Sequence, residues 1–139
     1  MPKRINALVV ITGIAMVGLL SLVVSYAMAA EHFSVKEYNE FHEVLHPLQH
    51  DALPNKDFKT IRARATELVT LGEAIVKLDV PPGVADSAEF AKELRTFKTA
   101  LDTFRSDAAG APDAQLETSY LAVHDSFEIL AEMLPRKKG

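Results

Sequence analysis

The chain has 139 residues, 19 acidic and 15 basic side chains and a net charge of −4, enough for one domain with a real core. The acidic balance argues against nucleic acid or an anionic membrane surface as partner. The absence of cysteine excludes disulfides, thiol catalysis, thiolate metal sites and covalent c-type haem.

At the N-terminus, Lys3 and Arg4 precede an apolar run from Ala7 to about Ala29 that closes on Ala27-Met28-Ala29. A basic start, an apolar stretch and a small-residue A-x-A end are the marks of an export signal. Residues 1–30 are therefore read as a signal peptide and 31–139 as the folded domain. An uncleaved anchor is the alternative, because about 20 apolar residues also span a bilayer; only then is a membrane involved. In both cases the basic flank stays inside and the folded part lies outside, periplasmic or otherwise exported. Cleavage after Ala29 removes 29 of the 139 residues, leaves 110, and takes the charge from −4 to −6 with the loss of Lys3 and Arg4.

Four helices are predicted after the leader. Ser34 and Glu37 have the spacing of a capping box, and Tyr38, Phe41, Leu45 and Leu48 fall on one face. Pro47 lacks an amide donor and predicts a kink or stop there. A second helix is expected from about Lys56 to Leu78, with Phe58, Ile61, Ala65, Leu68, Gly72 and Ile75 inward. Val80-Pro81-Pro82-Gly83 ends it. Asp86, with Glu89 three residues on, opens the third helix, whose apolar stripe is Phe90, Leu94, Phe97, Leu101 and Phe104. A loop is expected from Asp107 to Pro112, with Asp113 capping a fourth helix that buries Leu116, Tyr120, Val123, Phe127, Leu130 and Leu134. Pro135 ends that helix, and basic residues 136–138 suit the negative end of its dipole. Four helices joined by short connections predict an all-α, antiparallel up-down-up-down four-helix bundle.

The histidines are the candidate chemistry. His42, His46 and His50 recur every four residues, which places imidazoles one above another on a helix. His124 lies about 16 Å into the fourth helix and His42 about 12 Å from the His50 end of the first, at ~1.5 Å per residue, so the two reach similar levels in such a bundle. His42, His46, His50 and His124 are therefore the candidate metal ligands. Imidazole with carboxylate suits Zn(II), Cu(II) or Ni(II); Met133, the sole methionine beyond the leader, rules out a Met-rich Cu(I) carrier. Arg62, Arg64 and Glu67 read as a solvated charged face. With no Gly-rich loop or Ser–His elbow, the expectation is a non-enzymatic module that holds, buffers or senses a divalent ion. A protein partner or a second copy of the chain is the other expected contact.

The order of helices, the loop prolines and Tyr120-Leu121-Ala122-Val123-His124-Asp125-Ser126-Phe127 give the chain, over most of residues 34–134, a further likeness. It resembles the cytochrome c-prime family of periplasmic four-helix bundles. Tyr120 and Val123 stand where that family has its haem-attachment cysteines, while His124 and Phe127 match its haem-ligand histidine and following aromatic. The resemblance implies either a haem-free interaction or structural bundle, or a relative of the b-type bundles with non-covalent haem held by His124 and His42 or His46.

The leader reading makes a direct prediction: exported protein begins at Ala30 or Glu31. Intact-mass measurement of exported material should show that start, and a retained Met1 would establish the membrane anchor instead.

Overall fold

The computed structural model describes residues 33–137, within the unit Glu31–Gly139. The leader, its Ala27-Met28-Ala29 end and His32 lie outside the described residues. The domain is all-helical: α1 (Lys36–Pro47) runs into a π-helical turn (Leu48–Ala52), followed by α2 (Phe58–Val76), α3 (Ser87–Gly110) and α4 (Asp113–Met133). No helix of the described residues is long and apolar enough to cross a membrane.

The entry to α1 differs from the capping box expected of Ser34 and Glu37. Val35 is the cap residue and supplies no side-chain bond. Asn39 does the work from inside the helix: its Oδ1 accepts from the Phe33 amide at 2.7 Å, and its Nδ2 donates to the carbonyls of Phe33 (3.0 Å) and Val35 (3.1 Å). A carboxamide can donate and accept at once, so one side chain folds the preceding strand of chain back onto the helix.

Pro47 ends the α-helical ladder without ending the helix. It keeps helical angles, φ −66° and ψ −29°, but offers no amide to the carbonyl one turn back. The chain widens into a π turn, closed by Leu53 donating to Leu48 O at 2.9 Å across five residues; beyond it, Asp57 donates back to Ala52 O at 2.8 Å. Lys56, at φ 53°, then reverses the chain in a conformation costly for a residue with a Cβ. Asp57 caps α2: it accepts from the Thr60 amide (3.0 Å) and hydroxyl (2.6 Å). Those two bonds hold its carboxyl below the usual carboxylate range.

Asp86 caps α3 as expected, accepting from the amides of Ala88 (3.1 Å) and Glu89 (2.9 Å). The helix continues through the expected loop to Gly110, and Asp113 is the first residue of α4 rather than its cap. Arg62 of α2 explains both differences. Its guanidinium donates to the carbonyls of Asp107 (3.0 Å), Ala108 (3.2 Å) and Ala111 (2.6 Å) and to Asp113 Oδ1 (2.9 Å). A cation at the carbonyl end of α3 satisfies groups that a helix end leaves unpaired and opposes the negative end of its dipole. Arg62 is thus a structural clasp, while Arg64 pairs with Glu67 on the surface.

The apolar stripes converge as the sequence predicts, apart from Leu94 and Phe58, which are only partly buried. Leu101 packs so closely on Gly72 that a Cβ there would lie 2.6 Å from its Cδ1. Phe97 is fully buried, with ring centroids 5.4 Å from Phe41 and 6.3 Å from Phe127. Phe97→Ala should therefore cost ~3–5 kcal/mol through lost transfer energy and the cavity left behind. Thermal and urea unfolding check this; an unchanged midpoint would show that Phe97 is not a central packing residue.

Candidate functional site

The site is built on the outer side of α1 and its π turn. His42, His46 and His50 form a ladder of rings, with centroids 5.4 Å apart for the first pair and 4.4 Å for the second. The closer second step follows from the backbone. In the wider π turn, a residue four positions on sits more nearly above its predecessor than in an α-helix, so Pro47 tightens the ladder. His50 is exposed and His46 partly so. The upper rung is anchored in apolar surroundings: His42 lies 5.5 Å from Phe33, edge to face, and 6.3 Å from Phe127, stacked.

His124 takes a different place. Its Nδ1 lies 3.0 Å from Asp125 Oδ1, and its Nε2 4.0 Å from Glu128 Oε1. A carboxylate can only accept, so Asp125 fixes the proton on Nδ1. The aromatic that meets His42 across the seam is Phe127. Three residues along α4 from His124, its ring takes up the space between the helices. The structure therefore brings His42, His46 and His50 into a row and leaves His124 among carboxylates of its own helix. Among the described residues no three His, Asp or Glu side chains are grouped so as to hold one metal ion; the expected quartet does not close on a single point.

Two features of the segment go beyond the ladder. His42-Glu43-Val44-Leu45-His46 is an H-E-x-x-H sequence on a helix, the spacing that gives zinc two imidazoles and a neighbouring carboxylate base. It is legible in the sequence once the run is read for zinc-hydrolase spacing as well as for histidine periodicity. The surrounding charge is also one-sided. Helix α4 carries Asp113, Glu117, Asp125, Glu128 and Glu132 and no Lys or Arg, although Arg62 and Lys56 pair with the first two, and α1 carries three Glu against Lys36. Lys36 is itself paired with Glu40 at 3.0 Å. A field of this sign favours cations at the imidazoles.

Two tyrosines stitch this side together. Tyr120 donates its hydroxyl to the Leu45 carbonyl at 3.3 Å, and Tyr38 lies 5.8 Å from Phe127. No protein family, curated protein or solved structure matches this chain.

Burial pushes the phenols of Tyr38 and Tyr120 well above their ordinary value. The unfolded chain ionises near pH ~10, so this contribution to stability is complete below about pH 10 and is lost as pH rises from there towards the folded-state values. The third tyrosine, Tyr26, lies in the leader. A domain without the leader should therefore show no phenolate absorbance until its helical circular dichroism is lost, and phenolate at ordinary pH in a fully helical protein would contradict the burial.

Proposed function

We propose that the chain is an exported, antiparallel up-down-up-down four-helix bundle that binds a divalent cation, with His46 and His50 as the primary ligands. The observation that carries this reading is the 4.4 Å separation of their rings on an accessible turn. Two imidazoles in a negative field, with solvent completing the coordination, suit Zn(II), Cu(II) or Ni(II). His42 extends the ladder into the aromatic core, and His124 stands apart from the primary pair. The antiparallel reading is supported by Tyr120 meeting Leu45 while Phe127 meets Tyr38: contacts move back along α1 as they move forward along α4.

The interior does not fit the haem of the b-type bundles. Phe41, Phe97 and Phe127 are fully buried and in mutual ring contact, so they fill the space between the helices. The function proposed is holding or sensing a metal without catalysis. The H-E-x-x-H spacing favours a second reading, a zinc hydrolase on His42 and His46 with Glu43 as base.

Ligand binding to the native state adds about 2.7 kcal/mol at a hundredfold excess over the dissociation constant. Each imidazole must be neutral to bind, so the gain should fade as the pH is lowered. Melting with Zn(II), Cu(II) and Ni(II) near neutral pH should rise in wild type and in His124→Ala, and lose most of that rise in His46→Ala and His50→Ala. No rise with any of the three metals leaves the haem-free interaction bundle as the function. Zinc-dependent peptide hydrolysis lost in Glu43→Gln, with metal binding intact, would replace the holding role by the hydrolase.

A further inference from the structure

On α3 and α4, away from the histidines, lies an open groove of about 540 Å³, within the size range of small-molecule sites. Its α3 wall is Thr96, Thr99, Ala100 and Thr103, and its α4 wall is Thr118, Ser119 and Ala122. Asp107 and Gln115 close the end nearest the α3–α4 connection. From Thr96 to Asp107 the wall runs about 16 Å at ~1.5 Å per residue.

The hydroxyls of this groove are one-sided. Each threonine hydroxyl donates back to the carbonyl four residues earlier: Thr96 to Lys92 (3.3 Å), Thr99 to Arg95 (3.1 Å), Thr103 to Thr99 (3.0 Å) and Thr118 to Ala114 (3.1 Å). Ser119 likewise donates to Leu116 O at 3.1 Å. The hydroxyl protons are thus committed, and what remains is oxygen lone pairs and methyl groups. Gln115 spends one of its two amide hydrogens on the carboxylate: Nε2 donates to Asp107 Oδ1 at 2.8 Å.

Asp107 is the exception in this wall. It is a carboxylate only 5% exposed, in the last turn of α3, where the helix dipole disfavours negative charge. Arg62 binds its backbone carbonyl, and the carboxylate has Gln115 on Oδ1 alone. Among the described residues its Oδ2 accepts no hydrogen bond. A carboxylate held at the closed end of a largely apolar groove, with its second oxygen open to that groove, suits a donor carrying positive charge.

We propose that this groove binds a primary alkylammonium compound. Its ammonium group donates to Asp107 Oδ2, and its aliphatic body lies along the methyls of Thr103, Thr99 and Ala100. An anion is repelled by the carboxylate. A neutral alcohol of equal length gains the apolar contact and one neutral hydrogen bond, which is weaker than a charge-assisted one.

The test is a methyl NMR titration of the protein with n-hexylammonium, 1-hexanol and hexanoate. Hexylammonium should move the methyl signals of Thr99, Ala100, Thr103 and Ala122 and bind at least about tenfold more tightly than hexanol, with hexanoate weakest. Asp107→Asn should remove the preference for hexylammonium over hexanol, whereas His46→Ala should keep it, which separates this site from the metal ladder. Equal binding of the three probes to wild type, no movement of these methyls, or an undiminished preference in a folded Asp107→Asn protein would each overturn the proposal. Should Asp107→Asn fail to fold, the three-probe comparison on wild type decides.

Discussion

Phe127 is the contact on which the α1 side of this molecule depends. Its ring lies 4.7 Å from Phe41, 5.8 Å from Phe33 and Tyr38, and 6.3 Å from both Phe97 and His42. One side chain of α4 therefore touches the approach to α1, three positions along α1 and the middle of α3. Aromatic rings at these spacings combine a large buried area with edge-to-face attraction. Helix α1 is only 12 residues long, too short to be stable in isolation, so its position is set by this packing. The histidine ladder inherits that position, because its first rung rests on Phe127.

At the opposite end of the core, Arg62 performs a comparable task with polar chemistry. Its guanidinium reaches the α3 terminus and the first residue of α4 together, which fixes where one helix stops and the next begins. The five donors of the planar guanidinium allow four such bonds from one side chain. A lysine there would keep the charge but lose that fork. The buried Asp107 sits in the same turn, so the clasp also holds the closed end of the α3–α4 groove.

The helices and their buried faces were legible because burial repeats with the helical period. Phe90, Phe97, Leu101 and Phe104, and the whole α4 stripe from Leu116 to Leu134, are buried as their spacing predicts. The ends were less legible. The second helix begins at Phe58 behind an Asp57 cap rather than at about Lys56, and Asn39 caps from within α1, where no local rule places a cap. Arg62 acts on carbonyls 45 to 49 residues away, and no local pattern announces such a contact. At the site, periodicity placed His42, His46 and His50 in a row. Matching helix levels put His124 opposite His42, but level does not set which way a side chain turns. Phe127 takes the seam, and His124 turns to Asp125. The groove had no sequence signature, since its threonines read as ordinary solvated positions.

The aromatic contact between α4 and α1 carries the ladder. Nuclear Overhauser measurements between ring protons of the domain test it most directly. Cross-peaks are expected from Phe127 to Tyr38, Phe41 and His42, and onward from His42 to His46 and from His46 to His50. A Phe127 ring with no cross-peak to α1, or a direct His42–His124 cross-peak in its place, would contradict it.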